Sequence, residues 1–327
     1  MPFTFRALLP VRLAAAAAAL GLGLTASTAA QTVSPYPSKP ISLIVPYGAG
    51  GSTDALARAL TDRMGKKLGQ PFIVESKPGA AGTLGVTQMV RTRPDGYSLT
   101  LVPLSVFRQP YLTKVQYDPL KDLSYIATVM NYTYAIAVPY SAPWKSIQEL
   151  VADARKSPDK YSYAGSAQYS SNHLAMTELA RAAQLQWTFV PYKGDAEAIN
   201  ALLGGHVDII SATSTILPFV ESKKARVLAV AGAERSPDFP GVPTLKEAGY
   251  PVEMASPLGI AGPAGLPRDI VDKLDSTVRE VMQDPDFIQQ ARLLGVELNY
   301  RGSKAYTAWA ADTYAKEKTI ITRLAGQ

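Results

Sequence analysis

Short apolar runs alternate with longer amphipathic stretches along most of this chain. Segments 41–45, 72–74, 97–102, 135–138, 161–164, 188–192, 207–211 and 227–230 are apolar and rich in β-branched or aromatic residues, which predicts strands. Segment 55–68 carries helical spacing. Ser146-Ile147-Gln148-Glu149 and Thr244-Leu245-Lys246-Glu247 both fit the capping box that opens helices. Asp195 is placed to cap a helix over 196–203, which Gly204-Gly205 ends. This alternation predicts α/β layers with mostly parallel strands. Segments 267–283 and 303–324 read as long helices, and the Pro- and Gly-rich stretch 256–267 separates them from the alternating body.

The first thirty residues follow a different pattern. Arg6 and Arg12 are their only charges, residues 13–24 are rich in Ala and Leu, and residues 25–30 are small. That is the layout of a secretory signal peptide, and the apolar core is short for a membrane span of roughly 20 residues. The two arginines are not adjacent, as a twin-arginine signal would require. No later segment is long and apolar enough to span. The remaining chain is long enough for two domains or one large one, with 18% charged and 47% hydrophobic residues in the whole sequence. Removing Arg6 and Arg12 from 33 basic residues leaves 31 against 27 acidic, a net charge of +4. These charges are scattered, which argues for solubility and against a nucleic-acid partner. There is no cysteine, so disulfides, thiol catalysis and Cys-based metal sites are excluded.

The richest chemistry lies just after the first strand, in Pro46-Tyr47-Gly48-Ala49-Gly50-Gly51-Ser52-Thr53-Asp54. Glycines at a strand-to-helix turn leave backbone N–H groups open, and the helix start adds partial positive charge. That combination suits an anion without a cationic side chain; the plainer reading is a tight turn with no ligand. A dinucleotide fingerprint fits less well: its third glycine position holds Thr53, although Glu75 ends the next strand. A second strand-to-helix loop runs over 166–172. Its hydroxyls and amides suit another carboxylate or an ordered water, or plain N-capping by Ser170 or Ser171. His173 has only His206 as a fellow histidine and no nucleophile motif nearby, so a structural role is expected. Lys193 reads equally as a ligand contact or a solvated surface lysine.

The first loop resembles the P-[FY]-x-x-G-G-x-x-D signature of Bug-type receptors, the periplasmic solute-binding proteins of tripartite tricarboxylate transporters. The similarity continues through Lys39-Pro40-Ile41, Lys77-Pro78-Gly79-Ala80-Ala81-Gly82, Pro94-Asp95-Gly96-Tyr97, Pro191-Tyr192-Lys193-Gly194, Gly205-His206-Val207-Asp208 and Pro243-Thr244-Leu245-Lys246-Glu247-Ala248-Gly249. The resemblance implies an α/β, type II periplasmic-binding-protein fold of two lobes with the ligand cleft between them. Its expected division is a signal peptide over 1–30, lobe 1 over 31–132 plus 253–327, and lobe 2 over 133–252. It also implies a small organic carboxylate as ligand, a membrane permease as partner, a monomeric periplasmic receptor, and no reaction or cofactor. The expected ligand contacts are Tyr47, Gly48, Ala49, Gly50, Gly51, Ser52, Thr53, Asp54, Ser105, Ser166, Gln168, Ser170, Ser171, Asn172, Tyr192 and Ser211. Gln168 and Tyr169 stand where the family often has small residues, so the resemblance names no particular ligand.

Two other classes compete. An exported hydrolase or oxidoreductase would need a nucleophile–base pair or metal set, and none is recognisable. A regulatory effector-binding module would carry a DNA-binding helix-turn-helix at the N-terminus, where this chain has a leader. From the leader we predict a mature chain starting near Gln31 in the periplasm. N-terminal analysis of cell fractions checks this, and intact Met1 in the cytoplasm would refute it.

Overall fold

The computed structural model describes residues 1–3, 36–165, 168–192, 194–254 and 256–325. Residues 4–30 of the predicted leader therefore lie outside the described residues. The order of elements is β1 (Ile41–Val45), α1 (Ser52–Leu68), β2 (Phe72–Ser76), α2 (Leu84–Met89), β3 (Ser98–Val102), α3 (Ser105–Arg108), β4 (Leu123–Tyr132), β5 (Ala135–Pro139), α4 (Ile147–Lys156), β6 (Ser162–Gly165), α5 (Ser171–Ala183), β7 (Thr188–Pro191), α6 (Asp195–Leu203), β8 (Ile209–Ala212), α7 (Leu217–Glu221), β9 (Ala225–Val230), β10 (Ser256–Pro263), α8 (Arg268–Met282), α9 (Pro285–Leu293), β11 (Glu297–Gly302) and α10 (Ser303–Ala325). No described helix is long and apolar enough to cross a membrane.

The strands form two sheets, so the architecture is mixed α/β. The first has the order β11-β4-β10-β3-β1-β2 and the second β7-β6-β8-β5-β9. Chain segments 41–132 and 256–302 build the first sheet, and segment 135–230 builds the second.

Strand direction departs from the expected parallel majority. The pairs β1–β2, β1–β3, β6–β7 and β6–β8 are parallel. The pairs β10–β3, β10–β4, β11–β4, β5–β8 and β5–β9 are antiparallel. Apolar runs report burial and not direction, which is why the sequence pattern missed this. The Pro- and Gly-rich stretch predicted as a separator is instead β10, a central strand with all eight residues buried. Thr244 and Glu247 do make the reciprocal bonds of a capping box, at 3.0 and 2.9 Å, but they close a turn and not an α-helix. Ser146 caps α4 as predicted, accepting from the Glu149 amide at 3.2 Å. The cap of α6 is Gly194, and Asp195 sits inside its first turn.

The second sheet shows the period of two that separates its faces. Ile136, Val138 and Ile209 join a large core that also holds Leu43, Leu101 and Leu258 of the first sheet. Ala135, Ala137, Ile210 and Ala212 face a smaller core completed by Ala198, Ile199 and Leu202 of α6. In the first sheet, α10 packs directly on β10 at Gly259. A Cβ there would stand 2.3 Å from the Tyr306 ring and 2.7 Å from the Ala127 carbonyl oxygen. Glycine is therefore required by close approach and not by backbone conformation. Gly259→Ala should destabilise the protein by about 3 kcal/mol, at the upper end of ordinary overpacking. Adding Tyr306→Leu should recover part of the loss, as read by urea unfolding of both variants.

Candidate functional site

The first predicted loop sits at the carboxyl end of β1. Residues 47–51 are exposed, Ser52 is half-buried, and Thr53 and Asp54 are buried. Gly50 adopts φ +84°, in the left-handed region that glycine enters without a Cβ penalty. Gly51 caps α1 in extended conformation with no side-chain cap bond. The loop is held by Asp54, which is 3% exposed. Its Oδ2 accepts from the Gly50 amide at 3.0 Å and from Arg58 Nε at 2.9 Å. Its Oδ1 accepts from Ser76 Oγ at 2.7 Å and from Arg58 Nη2 at 3.1 Å. The Arg58 hydrogen bonds, with help from Gly50 and Ser76, outweigh burial and pull the Asp54 carboxyl down to about 2. Asp54 thus ties the loop to α1 and to the end of β2, and one loop N–H is already satisfied internally.

A group of hydroxyls lies beside this loop. Thr53 Oγ1 hydrogen-bonds the Tyr132 hydroxyl at the end of β4. The phenol of Tyr47 is pushed well above its ordinary range, first by desolvation and then by the neighbouring Tyr132 and Tyr134. The Tyr134 hydroxyl lies beside the side chains of Ser256 and Ser171, whose Oγ atoms are 3.4 Å apart. These residues come from both sheets and their helices: Thr53 from α1, Tyr132 from β4, Ser256 from β10, Ser171 from α5. Ser105 opens α3, and its Oγ and the Pro46 side chain both flank Gly82.

In the second predicted loop, Ser166 lies outside the described residues. Gln168 is exposed, and Tyr169 takes φ +60°, an unusual conformation for a bulky residue. Its amide donates to His173 Nδ1 at 3.1 Å, and its carbonyl accepts from Arg108 Nη1 at 2.5 Å. Ser170 is the N-cap of α5 and also bonds the Asn172 carboxamide. Asn172 is buried and donates to the Ser211 carbonyl at 3.1 Å. Ser211 is fully buried, and its hydroxyl has no hydrogen-bond partner among the described residues. Tyr192 is half-buried; its amide donates to the Gly165 carbonyl, while its ring packs on the smaller core. Asp195 accepts from the Thr213 amide, Thr213 Oγ1 and Thr215 Oγ1 at 2.8, 2.7 and 3.0 Å, so those threonines brace α6 against the end of β8. Lys193 lies outside the described residues.

The sequence reading missed Ser256, hidden in a stretch taken for a separator, and Arg108 with Glu317. A signal for the last was present. Tyr306, Ala310, Thr313, Glu317 and Ile321 form the buried stripe of α10. Their helical spacing places a glutamate at a core position.

Residues 56–325 match the family model TctC, described as the tripartite tricarboxylate transporter family receptor. The chain belongs to this family. It is a solute-binding receptor of the Bug type, from a family of periplasmic binding proteins that are not enzymes. Among curated relatives, the "UPF0065 protein in gbd 5'region" of Cupriavidus necator is 42% identical over 309 residues, covering 94% of each chain. Among solved structures, periplasmic binding protein BugD has 33% identity and a TM-score of 0.76, covering 88% of this receptor and 98% of BugD. MatC from Rhodopseudomonas palustris, solved with bound malate, has 27% identity and a TM-score of 0.76, covering 88% and 100%.

The receptor's His173 gives a pH test. Burial, and then the nearby Arg108, lower its imidazole from 6.5 to about 4. Folding therefore favours the neutral ring, whose Nδ1 accepts from Tyr169. That stability is fully present above pH 6.5 and is lost as pH falls toward 4. Asp54 loses its own contribution from about pH 5 downward, but it is common to wild type and variant and cancels in the comparison. His173→Gln keeps an acceptor but cannot titrate. Its stability should be flatter than wild type between pH 6.5 and 4 in denaturant titrations at each pH.

Proposed function

We propose that this receptor captures a small organic carboxylate in a cleft between two lobes, residues 31–132 with 253–327 and residues 133–252. It then hands the acid to the permease subunits of its transporter. The receptor is a periplasmic monomer whose leader is removed on export. The observation that carries the reading is the convergence of neutral donors beside the exposed 47–51 loop. Thr53 and Tyr132 meet there, as do Tyr134, Ser171 and Ser256. The helix starts of α1 and α5 add amides and partial positive charge. The malate held by the related MatC supports an acid of this class.

In this reading Tyr47, Gly48, Ala49, Gly50, Gly51, Ser52 and Thr53 form one side of the contact, with Ser105 behind them. Gln168, Ser170, Ser171 and Tyr192 form the other, and Ser166 belongs to the same loop. Asp54, Asn172 and Ser211 are buried supports that fix the loops. Neutral donors aimed in advance can replace the hydration of a carboxylate without a counter-charge that would slow release.

A thermal-shift panel of malate, adipate, citrate, glutamate and benzoate tests the class. An acid at roughly 100 times its Kd should stabilise the protein by about 2.7 kcal/mol and be recovered unchanged. No shift with any acid, or a reproducible product, would overturn the receptor reading for carboxylates. Gly48→Asp tests the loop. A Cβ at Gly48 meets nothing within 4 Å and its φ is not positive, so the backbone tolerates the change. The added negative charge should weaken binding at least tenfold by calorimetry, and unchanged affinity would remove this loop from the site.

A further inference from the structure

Arg108 is 1% exposed at the end of α3, and Glu317 is 3% exposed on α10. They form a two-pronged ion pair, with Arg108 Nε donating to Glu317 Oε2 at 2.6 Å and Nη2 donating to Oε1 at 2.9 Å. The remaining edge of the guanidinium, Nη1, donates to the Tyr169 carbonyl at 2.5 Å. α3 and α10 pack with the first sheet, whereas Tyr169 lies in the loop that follows β6 of the second. A second link runs in parallel: Arg323 of α10 pairs with Glu178 of α5 at 3.4 Å, and Arg181 pairs with the same glutamate at 2.9 Å.

Simple core filling does not account for this arrangement. Two buried charges lose much of their hydration energy, and an apolar pair of the same volume often stabilises as well or better. What the pair adds is direction. A guanidinium gripped on two nitrogens by one carboxylate has its plane fixed, so its third donor points at one place. That place is the carbonyl of a residue in a strained left-handed conformation, held on its other side by His173 Nδ1. Without both restraints, Tyr169 has no reason to keep φ +60°, and the turn before α5 would relax.

We infer that Arg108, oriented by Glu317, is a positioning residue for the 168–172 loop: it fixes the turn that presents Ser170, Ser171 and the first amides of α5, and couples that turn to α10. The ligand consequence rests on the receptor reading above. The effect on the loop does not.

Hydrogen exchange of the unliganded protein is therefore the first test. Arg108→Lys loses the fixed fork. The double variant Arg108→Glu with Glu317→Arg restores opposite charges but cannot donate to the Tyr169 carbonyl. In both, exchange in peptide 168–174 should rise at least tenfold while β10 amides keep wild-type rates. The double variant should also unfold at a higher urea concentration than Arg108→Glu alone. Unchanged exchange in 168–174, or an equal rise throughout, would overturn the inference; where the double variant fails to fold, Arg108→Lys carries the same comparison.

The second test uses malate. Arg108→Lys should release it at least tenfold faster with little change in association rate, and unchanged release from a wild type that binds malate would overturn the positioning role. Wild type that binds neither malate nor any other acid of the panel would refute the receptor reading instead, with the exchange result still deciding the loop.

Discussion

Ser256 lies opposite Tyr132 in the antiparallel ladder of β4 and β10. The strand that leaves the first sheet and the strand that returns to it are therefore neighbours. Two residues after Tyr132, Tyr134 precedes the first strand of the second sheet, and its hydroxyl reaches back to Ser256 and across to Ser171. The polar cluster depends on this register. A slip of one residue between β4 and β10 would turn Ser256 away from the face it shares with Tyr132. The Ser256 amide is itself fixed by the Asn131 side chain at 3.1 Å, which holds the return strand at its first residue.

The charges around this cluster are internally satisfied. Asp54 is paired with Arg58, Asp195 with two threonines, and Arg108 with Glu317. What remains exposed at the first loop is Tyr47 and backbone: three glycines, an alanine and a helix start without a side-chain cap. In the proposed site, buried charges hold the loops and neutral groups are the ones left to meet a ligand. This division favours donors whose positions do not shift when an anion arrives, because each loop is fastened from behind by a charge-assisted bond.

Much of this was legible in the sequence. The first loop needed only β1, its glycines and the helical period of α1. The boundaries of β1 and the capping of α4 follow directly from residue type. β10 was hidden because Pro257, Gly259, Gly262 and Pro263 read as loop residues. In the fold those glycines are close-approach positions, and Gly259 exists to seat Tyr306. Strand direction was hidden for a different reason: β4, β10 and β11 meet through long-range pairing that no local pattern encodes. The Ser76 part of the Asp54 restraint was also unreadable, since Ser76 reaches that helix residue from the end of β2. The Thr244 capping box shows the converse, a local signal correctly read that closes only a turn.

α10 joins the core to the loop. Tyr306 seated over Gly259 sets the height of the helix against β10, where any side chain larger than glycine's would displace it. Glu317 follows eleven residues later, which is three turns and roughly 16 Å along the axis. It therefore faces the same side as Tyr306, on the buried stripe. A displacement at Gly259 would move Glu317 with the helix, tilt the guanidinium of Arg108 and withdraw its donor from Tyr169. The packing of a glycine in the middle of one sheet and the geometry of a loop on the other are in this way parts of one rigid path. Arg323, on the same helix, also meets Glu178 of α5 in a partly exposed ion pair. A helix carrying only apolar contacts could slide along its groove at little cost. One carrying a buried, directional ion pair is held at one axial position, which is what the proposed role of Arg108 requires of Glu317.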